Sequence, residues 1–122
     1  MRALLVEDES MVALLLESML EEFGVTVSVA MRVPDALRLA EAGGFDFAVL
    51  DVNLGGGQRS DPVAEVLRAS GVPFMFSTGY GERGLTPAFR GVPTLQKPFE
   101  VEALRETITR LLADPIAARG GR

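Results

Sequence analysis

The chain alternates short continuous apolar runs with longer stretches in which apolar residues recur three and four positions apart. The short runs are typical of strands buried on both faces, and the longer stretches are typical of amphipathic helices. The predicted strands are residues 3–6, 25–29, 47–51, 74–77 and 94–96. The predicted helical segments are residues 10–23, 34–42, 61–70, 85–90 and 100–113. This alternation predicts an α/β fold, a doubly wound parallel sheet with helices on both faces.

Local residues refine the ends and positions of these elements. Ser10 and Asp61 are predicted to be N-caps, with Pro62 in the first helical position after Asp61. Residues 25–29 alternate between valine and polar side chains, which favours a place near the sheet edge. The segment 85–90 is the least regular helix because glycine and proline interrupt it.

Polar residues stand where four of the predicted strands end. Asp51 is the last residue of the third strand. Glu7 and Asp8 follow the first strand, Thr78 follows the fourth, and Lys97 follows the fifth. Alone, each has a simpler interpretation as a turn residue, a solvated acidic cluster at a helix start, or a surface lysine. However, the carboxyl ends of parallel strands meet at one edge of a doubly wound sheet, where such sheets bind ligands. The convergence therefore predicts one site.

The composition narrows the chemistry of this site. Among 122 residues there are 17 acidic and 12 basic side chains, a net charge of −5, which argues against nucleic-acid binding as the main activity. The absence of cysteine and histidine excludes disulfides, thiol nucleophiles, zinc sites and histidine acid/base chemistry. No uncharged apolar run reaches the ~18 residues of a membrane span. We expect a cytoplasmic protein with one domain at residues 1–113 and a flexible tail at 114–122.

The three carboxylates of Glu7, Asp8 and Asp51 would repel one another at a shared edge. At a separation of about 4 Å and an effective dielectric constant near 20, each pair costs on the order of 4 kcal/mol. A divalent cation that prefers oxygen ligands removes this cost. Mg²⁺ fits because it takes one or two carboxylates together with water and phosphate oxygens. The sequence therefore predicts a Mg²⁺ site.

In order and spacing, these residues resemble the receiver domains of two-component response regulators, over residues 3 to about 112. The resemblance implies a flavodoxin-like receiver fold with strand order 2-1-3-4-5. It implies that Asp51 is the phosphoacceptor, and that Mg²⁺ is held by Glu7, Asp8, Asp51 and the backbone carbonyl of Asn53.

The same resemblance assigns the residues that follow the last two strands. Thr78 and the backbone amide of Gly79 would contact the phosphoryl group, as would Lys97 of the Lys-Pro-Phe signature. The peptide bond before Pro98 is usually cis in this family. Residues 76–80 further resemble a subgroup of single-domain receivers with a Phe-x-Thr-Gly-Tyr segment.

The function implied by this resemblance is a signalling switch. Asp51 would accept a phosphoryl group from a sensor histidine kinase or a histidine phosphotransfer protein. Because the chain ends soon after the fifth helix, we expect no output domain. A downstream protein or a second copy would then bind the face formed by the fourth helix, fifth strand and fifth helix. Two alternatives stay open: an unphosphorylated interaction module, and a Mg²⁺-dependent phosphatase, which would want a second acid where Asn53 stands.

The sequence departs from the family pattern at two places. Thr94 stands where an aromatic residue often turns inward on activation, and three glycines at residues 55–57 enlarge the loop after Asp51. We therefore expect Tyr80 to report phosphorylation in place of the missing ring. We also expect Lys97→Ala to keep the fold, on the argument that the charge paired with Lys97 appears only after phosphorylation.

Overall fold

The centre of the fold is a five-stranded sheet. In the computed structural model, which describes residues 1–79 and 84–113, all strands pair in parallel in the order β2-β1-β3-β4-β5. The strands are β1 Arg2–Val6, β2 Thr26–Ala30, β3 Phe47–Asp51, β4 Phe74–Thr78 and β5 Thr94–Gln96. The predicted doubly wound sheet and its strand order are therefore confirmed, and β2 lies at an edge as its alternating pattern indicated.

Four α-helices lie within the described residues, and they cover both faces of the sheet. They are α1 Ser10–Glu22, α2 Val33–Ala42, α3 Asp61–Ala69 and α4 Val101–Ala113. Alternate β1 side chains point to opposite faces, so that Ala3 and Leu5 pack with α1 and α4, whereas Leu4 and Val6 pack with α2 and α3. Every residue of β3 and β4 is buried between these two cores. The central strands therefore carry Asp51 and Thr78 to one protected edge.

Both predicted N-caps are wrong by one residue. Helix α1 begins at Ser10 and is capped by Glu9, because Glu9 is extended (φ −90°, ψ 115°) and precedes the first helical residue. Helix α3 begins at Asp61 with Ser60 in the N-cap position, where the Ser60 side chain makes no capping hydrogen bond. The Asp61 carboxylate accepts hydrogen bonds from Arg59 and Thr86. Pro62 therefore takes the second helical position rather than the first.

The predicted helix over residues 85–90 is only a three-residue 3-10 helix, Pro87–Phe89. Glycine and proline leave no room for a longer helix, and tertiary packing holds the segment instead. Phe89 is buried, and its ring centroid lies 6.0 Å from that of Phe74 and 5.8 Å from that of Phe76, in edge-on contacts. This aromatic cluster fixes the segment against β4.

Arg68 on α3 holds the same segment from the other side. Its Nη2 donates a hydrogen bond to the Ala88 carbonyl at 3.0 Å, and its guanidinium lies over the Phe89 ring at 4.5 Å from the centroid. The surface that the sequence assigned to a fourth helix, fifth strand and fifth helix thus consists of this 3-10 helix, β5 and α4.

Within the two described ranges, no helix is long and apolar enough to cross a membrane. Helix α4 continues to Ala113. The predicted tail at residues 114–122 and the predicted reporter Tyr80 lie outside the described residues.

Candidate functional site

The carboxyl edge of the sheet brings three acidic side chains together. Glu7 and Asp8 follow β1, and Asp51 is the last residue of the adjacent strand β3. One carboxylate oxygen from each of the three lies within 4.8 Å of the others. Glu7 and Asp51 are buried, whereas Asp8 is partly exposed. The site is a compact negative cluster that opens to solvent on the side of Asp8.

Glu7 is anchored through both of its carboxylate oxygens. Oε1 accepts a hydrogen bond from Lys97 Nζ at 2.7 Å, and Oε2 accepts one from the backbone N–H of Glu9 at 3.1 Å. The Glu7 side chain is 1% exposed, so a charge there requires these partners. These two hydrogen bonds hold the Glu7 carboxylate beside Lys97, and each oxygen keeps a lone pair for a further contact.

Lys97 reaches the same edge from the far side of the sheet. Its backbone N–H donates to the Thr78 carbonyl at 2.8 Å, and its Nζ lies 3.4 Å from Asp51 Oδ2. The peptide bond to Pro98 is cis, as the family resemblance implied. Burial works against the charge of Lys97, but its hydrogen bond to Glu7 and the nearby Asp51 carboxylate raise its pKa above the ordinary value.

Asp51 is an unusual carboxylate because its surroundings disfavour its charge. Burial and the neighbouring Glu7 carboxylate raise the pKa of Asp51 from 3.8 to about 7, although Lys97 acts in the opposite direction. The acidic cluster therefore holds more negative charge than one lysine compensates. Added positive charge at this edge would stabilise the ionised Asp51.

Asp8 differs from the other two acids because no described residue hydrogen-bonds or pairs with its carboxylate. An unpaired, partly exposed carboxylate next to Asp51 is a suitable ligand for a hard cation. The donor set consists only of oxygens, which matches Mg²⁺ and does not match softer metals. The residues present thus fit a Mg²⁺ ion held by Asp8 and Asp51 beside Glu7.

Asn53 lies in a small hairpin, residues 52–60, that follows β3. Asn53 and Arg59 face each other there as an antiparallel bridge. The hairpin hydrogen bonds on either side, at 3.0 Å and 2.9 Å, join the flanking residues and do not use the Asn53 carbonyl. The hairpin therefore leaves this carbonyl available as a further oxygen ligand.

The hydroxyl residues at the end of β4 are also buried at this edge. Thr78 is 1% exposed and pairs in register with Gln96, while Ser77 lies opposite Asp51. The Ser77 hydroxyl has no hydrogen-bond partner among the described residues. Gly79 follows directly, and a Cβ there would meet nothing within 4 Å. Space thus exists beside the backbone at the position predicted to contact a phosphoryl group.

A polar cluster that the sequence did not reveal links the hairpin to the segment after β4. Arg59 donates from Nε to Asp61 Oδ1 at 2.8 Å and from Nη2 to the Gly84 carbonyl at 2.8 Å. The Thr86 hydroxyl donates to Asp61 Oδ2 at 3.0 Å. The bonds to Gly84 and from Thr86 each join residues 25 apart in the sequence. No local spacing pattern could have indicated these contacts.

The parallel sheet and the acidic, hydroxyl and lysine residues at its carboxyl edge define a signalling domain of the flavodoxin-like class. The chain belongs to the response regulator receiver domain family, whose sequence profile matches residues 3–109. Receiver domains of this family belong to two-component signalling systems, in which they are signalling switches.

Individual relatives support the same assignment. The chain is 32% identical to the phyllosphere-induced regulator PhyR of Methylorubrum extorquens, in a match covering 95% of this chain. The chain spans about half, 45%, of the length of that curated relative.

Solved structures of other proteins share this fold over nearly the whole length of this chain. The solution structure of SdrG from Sphingomonas melonis Fr1 is 43% identical with a TM-score of 0.82, and covers 91% of this chain and 95% of its own. A second SdrG structure, in the BeF3-activated conformation, has a TM-score of 0.77 over the same shares of the two chains. The receiver domain of the histidine kinase PA1611 from Pseudomonas aeruginosa, with magnesium in its active-site cleft, is 24% identical (TM-score 0.76, 92% and 97% covered) and shares the fold.

The cluster of Arg59, Asp61 and Thr86 predicts coupling between α3 and the segment after β4. In a double-mutant cycle, Asp61→Ala and Thr86→Val should show a coupling energy of about 0.5–1.5 kcal/mol in urea denaturation, because each removes one end of the same hydrogen bond. Hydrogen exchange of the amides at residues 84–89 should accelerate in Asp61→Ala. The control is Asp35→Ala, which removes only an exposed ion pair on α2 and should change stability little. Additive effects would contradict the coupling.

The argument given for Lys97→Ala, that Lys97 gains a charged partner only after phosphorylation, is wrong, because Glu7 is already its partner. We now expect Lys97→Ala to lower the free energy of unfolding by about 1–3 kcal/mol, since it leaves a buried carboxylate without a cation. Adding Glu7→Gln should recover part of this loss in urea denaturation. A double variant less stable than Lys97→Ala would show that the ion pair is not the cause.

Proposed function

We propose that this chain is a phosphorylation-activated receiver in which Asp51 accepts a phosphoryl group from a phosphohistidine on a partner protein. The observation that supports this proposal best is the convergence of Asp51 with Glu7, Asp8 and Lys97 at one sheet edge. The relatives add support, since SdrG has a BeF3-activated conformation and the PA1611 receiver coordinates magnesium in its cleft.

The proposed reaction needs a positioned nucleophile and compensation of charge, which suits a chain without histidine. An Asp51 carboxylate oxygen attacks phosphorus, the phosphorus–nitrogen bond to the donor imidazole breaks, and a new phosphorus–oxygen bond forms. Mg²⁺, when bound, supplies positive charge to the phosphoryl oxygens. Water later hydrolyses the acyl phosphate and returns Asp51 to its carboxylate. Beyond these self-catalysed steps the protein has no enzymatic role.

Residues of the chain hold the phosphoryl group in this proposal. Lys97 would contact one oxygen, and the Thr78 hydroxyl with the Gly79 amide would contact another. The carboxylates of Glu7, Asp8 and Asp51, whose oxygens lie close together, would hold Mg²⁺ together with the Asn53 carbonyl. Because Lys97 already binds Glu7 at 2.7 Å, the new charge on Asp51 would compete with Glu7 for the same ammonium group.

The protein donor would be a sensor histidine kinase or a histidine phosphotransfer protein. Side chains on α1 provide a surface for it, since Met11, Leu14 and Leu15 are 78%, 59% and 55% exposed. Leu15 also lines a mainly apolar groove that continues to Lys97 and Phe99. A donor whose phosphohistidine reaches Asp51 would lie across this face. Output would leave through the 3-10 helix, β5 and α4, to a downstream protein or a second copy.

The proposed acceptor is tested by incubating the protein with Mg²⁺ and acetyl phosphate and measuring the intact mass. Wild type should gain one phosphoryl group that hydroxylamine removes, Asp51→Asn should gain none, and Asp35→Asn should behave as wild type. Turnover of acetyl phosphate without an adduct would favour the phosphatase alternative. Neither adduct nor turnover would favour an unphosphorylated interaction module.

The proposed metal site is tested by titrating Mg²⁺ in a calorimeter. Asp8→Asn should bind Mg²⁺ at least several-fold more weakly, because it removes an unpaired oxygen ligand next to Asp51. In EDTA the same variant should melt no lower than wild type, since it also removes a repelling charge. Glu9→Gln removes a neighbouring exposed charge outside the cluster and is the matched control. Equal affinities in Asp8→Asn and wild type would contradict the site.

A further inference from the structure

The three glycines of the hairpin turn share one backbone requirement. Gly55, Gly56 and Gly57 have φ values of +68°, +58° and +78°, in the left-handed region that disfavours most side chains. A tight turn between the two arms of the hairpin explains this geometry at all three positions equally. The turn alone therefore gives no reason to distinguish one glycine from the others.

Space around the turn distinguishes Gly55 from its neighbours. A Cβ at Gly55 would lie 2.8 Å from Asp8 Oδ2 and 3.9 Å from Asp8 Cγ. A Cβ at Gly56 or Gly57 would meet nothing within 4 Å. A carbon atom does not approach a carboxylate oxygen as closely as 2.8 Å, so any side chain at residue 55 would require Asp8 to move.

Asp8 is the member of the acidic cluster that can move most easily. Glu7 is fixed by two hydrogen bonds and Asp51 lies at the end of a buried strand, whereas no described residue binds the Asp8 carboxylate. One Asp8 oxygen lies within 4.8 Å of an oxygen from Glu7 and one from Asp51. Without a hydrogen bond to hold it there, this placement depends on the space that neighbouring residues leave. Gly55 leaves that space.

We propose that Gly55 is a positioning residue for the metal site, because its missing side chain lets the Asp8 carboxylate lie beside Asp51. The hairpin would then act on the cation in two ways, by leaving the Asn53 carbonyl outside its own hydrogen bonds and by leaving room for Asp8. This inference rests on the proposed Mg²⁺ site. It also gives a physical role to the enlarged loop, which the sequence could identify only as a departure from the family.

The test compares alanine at three positions with the same backbone requirement. Gly55→Ala, Gly56→Ala and Gly57→Ala all place a side chain at positive φ, so they share the backbone strain and any loss of stability that follows from it. Only Gly55→Ala adds a contact with Asp8. Calorimetric titration should show about tenfold weaker Mg²⁺ binding for Gly55→Ala, a loss typical of residues that orient metal ligands, and near wild-type binding for the other two.

A second matched pair keeps the test valid if alanine unfolds the turn. Gly55→Asn and Gly56→Asn introduce a residue that tolerates positive φ, and asparagine at residue 55 still carries the Cβ next to Asp8. Thermal denaturation in EDTA should show similar midpoints for the two variants. The gain in midpoint on adding Mg²⁺ should be smaller for Gly55→Asn, since stabilisation by a ligand depends on its affinity.

The outcomes separate this inference from the function on which it rests. Equal Mg²⁺ affinity in the variants at residues 55 and 56, with wild type binding normally, would overturn the role of Gly55 alone. A structure of Gly55→Ala with the Asp8 carboxylate in its original place would do the same. If wild type itself binds no Mg²⁺, both the metal site and the role of Gly55 are wrong.

Discussion

The ion pair between Lys97 and Glu7 is the interaction on which the arrangement of this edge depends. Glu7 is almost completely buried, and a buried carboxylate is tolerated only with a hydrogen-bonded or charged partner. Lys97 follows β5 and Glu7 follows β1, so their contact at 2.7 Å crosses the carboxyl ends of β3 and β4. Asp51 and Thr78, which end those two strands, are therefore enclosed between the partners. The pair thereby closes the site as well as compensating its charge.

The same pair leaves the edge with an excess of negative charge. One ammonium group faces Glu7 and Asp51 together, while Asp8 has no cationic partner among the described residues. Burial and the Glu7 charge raise the pKa of Asp51 to about 7, because together they outweigh Lys97. A site of this kind responds strongly to added charge, whether a cation or a phosphoryl group, because there is little water to screen it.

The strands and the convergence of the polar residues at their ends could be predicted from patterns within a few neighbouring residues and from the rule that parallel strand ends converge, whereas the strand order followed from the family resemblance. The caps of α1 and α3 could not. The Asp61 carboxylate accepts hydrogen bonds from Arg59 and from Thr86, which is 25 residues distant. Lys97 and Glu7 are 90 residues apart, so the sequence indicated that they would meet but not that they pair before phosphorylation. The contacts of Asp61 with Thr86 and of Lys97 with Glu7 were missed because the partners lie far apart in the sequence.

Because Thr94 stands where the family often has an aromatic residue, any signal from this site has to travel through the segment after β4 instead. Threonine is too small to act as a ring that turns between two positions. Its hydroxyl donates a hydrogen bond to the Val92 carbonyl at 3.0 Å. Phe76, which pairs with Thr94 in register, packs instead against Phe89 of the 3-10 helix. The β4 end and the 3-10 helix are thus connected by an aromatic contact rather than by a rotating ring on β5.

That 3-10 helix is in turn fastened to α3 and the hairpin. Arg59 binds the Gly84 carbonyl, Asp61 binds Thr86, and Arg68 binds the Ala88 carbonyl. A conformational switch requires contacts that differ between two states. These polar contacts lie between the loop after Asp51 and the surface next to β5. In the proposed switch, the 3-10 helix is the part of the output face best suited to change, because a glycine- and proline-rich segment adjusts more readily than a long helix.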